Sequence, residues 1–438
     1  MDARVLIVAR DDRLAGPLAD GLAKLDWRCV IARGPDAAMA AMEDFAIEAA
    51  IVDVDGIGAP ALSLPQVLKT ASLPQRLPVM AIGRGDLAFD MLGFDVALAP
   101  PLHPVQAALR LEAMVRAAMA EEEFALRQET FAARGKTLRS AEPFQRNLNI
   151  LTIGGPAPQF MALTHALAAA GMDTTSAFSA YTAFDYLHDR PFDAVVLWAG
   201  DNPQEAVSIA SGMRRNTRFY HTPTVLCVAD PGELNLSDAY QRGLSDLVIG
   251  GAPEMETARR ISALATAYRR EAAIRGALEQ AKSSGLMDSA TGLFTRDLFA
   301  AHLHRLAQAA PQRRRPLSVA VLRMPERSDM ARLRTEGWLD RATPQIGSMI
   351  GRLVRAEDTA ARLAPDVFAL ALPANKVAAR SAVLRIAAVI ACTAFEAGRD
   401  RTPFTVDFDI GAAEISPGDN PAFALERAAA GAFSRQAS

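Results

Sequence analysis

The sequence predicts an α/β multidomain chain: two doubly wound parallel-sheet domains in tandem, followed by an α+β domain. Three observations point there. The 438 residues exceed one ordinary core and suit about three domains of roughly 100–170 residues. A strand–helix rhythm occurs twice, with the first and second strands of each repeat 45 residues apart (Leu6 to Ile51, Ile150 to Val195). After Ser283-Ser284-Gly285 the pattern changes to mixed helices and strands with a hairpin.

The first repeat occupies 1–120. Val5–Val8 is a short buried-strand run, Leu14–Leu25 and Asp36–Met42 carry helical spacing, and Ala49–Asp53 and Leu77–Ile82 supply further strands. Short apolar strands alternating with helices build parallel sheets. A charged, helix-prone stretch, 121–146, reads as a helical linker or an extended last helix. The second repeat covers 147–272, with Asn149–Ile153, Asp193–Trp198 and Thr222–Cys227 in the strand places and Met161–Ala170 as a helix. A polar helix over Ala258–Lys282 leads through a linker end, 273–285, into 286–438. That last domain offers helices at Arg296–Ala309, Thr343–Val354 and Lys376–Phe395. Its strands fall at Leu317–Leu322 and Phe404–Ile410, and its hairpin has arms Thr359–Leu363 and Val367–Leu372.

Apolar residues make up 50% and charged residues 22%, a folded rather than disordered composition. The net charge of −3 provides no general basic surface for nonspecific nucleic-acid binding. Lysine occurs only at Lys24, Lys69, Lys136, Lys282 and Lys376, so the positive charge is nearly all arginine, which suits planar, bidentate contacts. Cys29, Cys227 and Cys392 lie far apart and form no disulfide framework. The N-terminal apolar run ends at Arg10, unlike a signal peptide, and the longest apolar stretch, Ile386–Phe395, is about half a membrane span. A cytoplasmic location is expected. His302 and His304 are two apart on a helix and share no face, and no histidine shows metal-ligand spacing. Arg313-Arg314-Arg315 reads as a solvated loop, with phosphate contact as the alternative.

Several motifs carry a family resemblance. Asp288-Ser289-Ala290-Thr291-Gly292-Leu293-Phe294-Thr295-Arg296 resembles the D-x-L-T-G-L-x-N-R motif of GGDEF domains, the diguanylate cyclase fold. Ala364-Pro365-Asp366-Val367-Phe368 stands where the GG[DE]EF signature belongs, and Asp409–Ala413 resembles the later S-I-G-V-A strand. The two repeats resemble the receiver domains of two-component signalling, a flavodoxin-like fold. The whole chain therefore resembles response-regulator proteins with two receivers and a degenerate GGDEF domain.

The resemblance implies that joining two GTP molecules would need divalent metal held by carboxylates at the first GGDEF strand and in the signature. The strand position is Arg323, and a guanidinium repels a cation. The two signature glycines are Ala364 and Pro365, so close backbone approach to phosphate is lost. Asp366 remains, while the next acidic position is Val367. Asp340 occupies the guanine-reading position, but its companion asparagine position is Ala331. Loss of cyclase activity is expected, with no metal in this site.

Cyclases of the family carry an inhibitory R-x-x-D site ahead of the signature, and Arg355-Ala356-Glu357-Asp358 stands in that register. Arginine can donate twice to guanine O6 and N7, and a carboxylate can accept from N1–H and the exocyclic amine. Arg355 and Asp358 are thus candidate cyclic di-GMP ligands, with Arg385 as a second arginine after the signature and Arg352 and Arg362 as phosphate partners. The bland alternative for Arg355 and Asp358 is a surface ion pair, worth under about 1 kcal/mol.

A working receiver needs an aspartate nucleophile, an acidic metal pair, a hydroxyl residue and a lysine. Asp53 fills the acceptor position in the first repeat and is a possible phosphoacceptor, or else a strand-end aspartate without that chemistry. Asp11 or Asp12 could supply the acidic pocket, but Gly83 and Pro100 replace the hydroxyl residue and lysine. In the second repeat Trp198, Val228 and Gly250 replace the acceptor, hydroxyl residue and lysine, which excludes phosphorylation there.

The resemblance implies a non-catalytic cyclic di-GMP effector in a signalling relay, homodimeric through its receivers. It also implies an adaptor bringing cell-cycle regulators to the ClpXP protease at a cell pole, without nucleic acid or membrane insertion. A ligand-independent scaffold and a residual cyclase are the alternatives.

Overall fold

The computed structural model describes residues 3–83, 92–99, 102–139, 146–155, 157–200, 203–229, 244–325, 328–397 and 402–433. Contacts divide the chain into two units, Met1–Ala118 with Pro143–Glu271, and Met119–Glu142 with Ala272–Ser438.

The first unit holds two parallel sheets. One has the strand order β2-β1-β3-β4-β5, from Ala3–Val8 (β1), Trp27–Ala32 (β2), Ala49–Asp53 (β3), Val79–Ile82 (β4) and Val96–Leu98 (β5). Helices Asp12–Ala23 (α1), Pro35–Asp44 (α2), Val54–Ile57 (α3) and Leu64–Ala71 (α4) join them. The other sheet has the order β10-β9-β8-β6-β7, from Asn149–Ile153 (β6), Asp173–Ala177 (β7), Ala194–Trp198 (β8), Thr224–Val228 (β9) and Asp246–Ile249 (β10). In both, the chain starts in the middle of the sheet and winds outward in each direction, the doubly wound order. Inner strands such as β3 and β9 are buried throughout, as strands covered on both faces must be. Helices Pro158–Ala169 (α6), Ala180–Asp189 (α7) and Pro203–Arg215 (α8) belong to the second sheet.

Between the sheets in sequence runs one helix, Pro104–Ala132 (α5). It passes without a break through the expected domain boundary at 120. The segment 121–146, expected as a helical linker or an extended last helix, begins as the end of α5, and from Met119 to Glu142 it groups with the C-terminal residues. The cause is apolar: Ala120, Phe124, Phe131 and Leu138 are buried in one cluster with Phe294, Phe299 and Leu303. The end of Glu254–Gln280 (α9) adds Ile274 and Ala277 to the same cluster.

The second unit is built on an antiparallel four-stranded sheet of order β12-β13-β11-β14, from Ser318–Arg323 (β11), Thr359–Ala364 (β12), Val367–Leu372 (β13) and Asp409–Glu414 (β14). Helices Arg296–Gln312 (α10) and Pro421–Phe433 (α14) pack on it, with Phe299, Leu303, Ala424 and Ala428 in the core. Ser328–Thr335 (α11), Trp338–Leu353 (α12) and Lys376–Ala391 (α13) complete the unit. The expected strand Phe404–Ile410 is displaced to β14. Phe404 instead makes an isolated antiparallel bridge with Phe395, their rings 5.8 Å apart, and regular pairing with β11 starts at Asp409.

Candidate functional site

Strand β12 connects two turns that the sequence singles out, Arg355–Asp358 before it and the signature after it. The Asp288 loop lies beside its middle: Phe294 donates its amide to Ala360 and accepts from that of Arg362. Asp288 accepts from the Thr291 amide at 2.9 Å and from its hydroxyl at 2.7 Å. Burial pushes the Asp288 carboxyl up, but these bonds and Arg362 outweigh that and hold it below the usual range. Gly292 takes φ +69°, a conformation that favours glycine. A Cβ on Gly347 of α12 would lie 2.3 Å from that of Thr291, so the motif and the helix touch backbone to side chain.

At the signature, Ala364 ends β12 and pairs with Val367, leaving Pro365-Asp366 as the turn, with Phe368 buried in β13. Arg323 ends β11 opposite Val367 on one side and Asp409 on the other. Asp366 lies 3.5 Å from Arg334, its carboxylate already facing a cation. Arg362 reaches Asp288 at 3.5 Å and donates to the Pro365 carbonyl at 3.2 Å. Asp340 is exposed in the first turn of α12. Among the described residues no group of three or more His, Cys, Asp or Glu side chains could hold a metal ion. An arginine at the strand end and an aspartate paired with a second arginine do not fit a divalent cation.

The Arg355–Asp358 turn is more enclosed than a surface ion pair. Asp358 is only 7% exposed and its carboxylate accepts from the Arg355 amide at 3.1 Å. Burial, with Glu357 adding to it, pushes the Asp358 carboxyl up to about 7, while Arg355 and Arg127 pull the other way. The Arg355 side chain is 31% exposed and lies 3.9 Å from Glu357. Around them is a cavity of about 70 Å³, lined also by Arg127, Arg275, Leu278 and Phe294. Arg385 does not join it: it is exposed on α13, which packs on β11 and β14, and Arg352 is likewise exposed.

Sequence reasoning missed what covers the turn. Arg127, fully buried in the α5 segment, donates to the Asp358 carbonyl at 2.8 Å and the Thr359 hydroxyl at 3.2 Å. Its Nε donates to Glu123 at 3.2 Å, and Glu123 also accepts from Thr359 and from His302 Nε2 at 2.8 Å. Burial pushes the Glu123 carboxyl up, but His302, Arg127 and Thr359 together hold it below its usual range. Beside this, Glu122 pairs with Arg315, which places that member of the arginine run in the core rather than a solvated loop. The available signal was the Glu123/Arg127 spacing of four on a stretch whose Ala120, Phe124 and Phe131 share a face.

In the first unit Asp53 is buried at the end of β3, where it accepts from the Gly56 amide at 3.0 Å and caps α3. Asp11 caps α1 and Asp12 pairs with Arg33. Gly83 lies near Asp55, and Pro100 lies outside the described residues. Trp198 ends β8 and packs edge-on to Phe160, 6.3 Å away.

Residues 285–434 match the family model described as diguanylate cyclase, GGDEF domain. No curated protein matches the chain. Among solved structures, the coiled coil and GGDEF domain of DgcB from Caulobacter crescentus, in complex with c-di-GMP, is 23% identical. It covers 41% of this chain and 93% of its own, with a TM-score of 0.33. The FimX GGDEF domain from Pseudomonas aeruginosa is 20% identical over 34% of this chain and 92% of its own, with a TM-score of 0.31. The cyclase SiaD from Pseudomonas aeruginosa, in complex with its activator SiaC, is 17% identical over 64% of this chain and 88% of its own, with a TM-score of 0.33. Among the described residues no helix is long and apolar enough to cross a membrane. The C-terminal part of the chain, residues 285–434, is a GGDEF domain.

Proposed function

We propose that this GGDEF domain does not make cyclic di-GMP but binds it, so that the chain acts as a ligand-responsive effector. The observation that carries the first half is Arg323 at the end of β11, with Asp366 facing Arg334. Two cations occupy the place where phosphoryl transfer would need metal-binding anions. The second half rests on the Arg355–Asp358 turn, which retains a guanidinium and a carboxylate of the kind that grips both edges of guanine. The buried Asp358 favours a second reading, a ligand-independent scaffold in which the motif braces the protein. The two parallel-sheet domains are read as receivers that serve in docking and homodimerisation rather than phosphotransfer. By resemblance to the two-receiver effector PopA, the partners would be cell-cycle regulators and the ClpXP protease at a cell pole.

The test has two arms. Incubation with GTP and Mg²⁺ yields no cyclic di-GMP on this reading, and appearance of product contradicts it. In equilibrium dialysis Arg355→Ala loses the dinucleotide while keeping its circular dichroism spectrum. Affinity unchanged by that substitution rejects the ligand assignment, and a protein that takes up no dinucleotide in any form tested favours the scaffold.

A further inference from the structure

The Arg355–Asp358 turn has a ligand's functional groups but not a ligand's space. A cyclic dinucleotide is at least drug-sized and requires about 300 Å³ or more; the cavity at the turn holds about 70 Å³. Side chains from two other segments brace and line the turn. Arg127, from the α5 segment, holds the Asp358 carbonyl and Thr359 hydroxyl, and Glu123 holds Thr359 from the other side. Leu278 and Arg275 from the end of α9 line the same cavity. Glu123, Arg127, His302 and Thr359 are each at least 95% buried, so these bonds are made where water cannot replace them.

We propose that the Met119–Ala132 segment, through Glu123 and Arg127, is a latch closing the Arg355–Asp358 turn, so that cyclic di-GMP enters only when that segment is released. The proposal rests on the ligand assignment above and adds its regulation. Ligand and latch compete for one place, and the closed population lowers apparent affinity in proportion to its excess. Because the segment is the end of α5, which starts at Pro104, its release acts directly on the helix leading out of the first parallel-sheet domain.

The test is cyclic di-GMP titration of full-length wild type, the double variant E123Q/R127Q and the single variant R127K. The double variant removes both charges together, so neither is left buried alone. R127K keeps the charge but loses the fork that reaches Asp358 and Thr359 at once, and it decides the matter should the double variant fail to fold. The latch predicts binding at least tenfold tighter in the variants, a gain abolished by adding R355A. Wild-type binding with equal or weaker affinity in the variants overturns the latch and leaves the ligand assignment standing. No binding by any of the three overturns both.

Discussion

The two ends of β12 carry two contrasting turns. At its C-terminal end the turn carries Pro365 where the resemblance places glycine and Val367 where it places an acid, Arg323 ends the neighbouring strand, and the Asp366 carboxylate is paired with Arg334. At its N-terminal end the charged pair persists, but Asp358 is buried and its carbonyl is held by Arg127, 231 residues earlier in sequence. The first departs from the family pattern in its own residues; the second keeps the patterned residues and is set apart by what packs on it. Motif inspection detects the first kind of difference and not the second.

Several perturbations sharpen this contrast. The largest is Glu123→Ala, which strands Arg127 and His302 without their shared acceptor. Breaking one side of a buried pair costs about 3–5 kcal/mol, and urea unfolding of the full chain should show a loss of that size. A loss below about 1 kcal/mol would mean the network is not closed. Next is Arg355→Ala, expected to weaken cyclic di-GMP binding about a hundredfold, near the 2–3 kcal/mol of a charge-assisted contact. Third is pH. The Asp358 carboxyl, at about 7 against an ordinary 3.8, holds its proton more tightly in the folded chain. Its stabilising contribution is therefore complete below about pH 4 and disappears as pH rises through about 7. Between pH 5 and 8 wild type should lose stability relative to Asp358→Asn; parallel curves would place the carboxylate in water. The smallest effect is Asp366→Ala, whose pairing with partly exposed Arg334 is worth under about 1 kcal/mol.

The strand rhythm and the hairpin around Pro365-Asp366 were legible because buried strands and tight turns are local patterns. The departures from the signature were legible too, since Arg323, Pro365 and Val367 are read off the chain without coordinates. The start of the last strand at Asp409 was not, because the apolar pattern does not show that Phe404 bridges to Phe395 instead of pairing with β11. Nor was the role of 119–132: its run of charges resembles a solvated linker until the aromatic Phe124 and Phe131 are seen in the C-terminal core. His302, lacking any metal spacing, gains its meaning from Glu123, 179 residues away in sequence, and from Thr130 on the same segment.

The central claim is that Arg355 and Asp358 remain a dinucleotide site. Calorimetric titration of the full-length protein with cyclic di-GMP tests it most directly. Saturable heat that vanishes in Arg355→Ala is the predicted result; a flat titration, in wild type and in the latch variants alike, would contradict it.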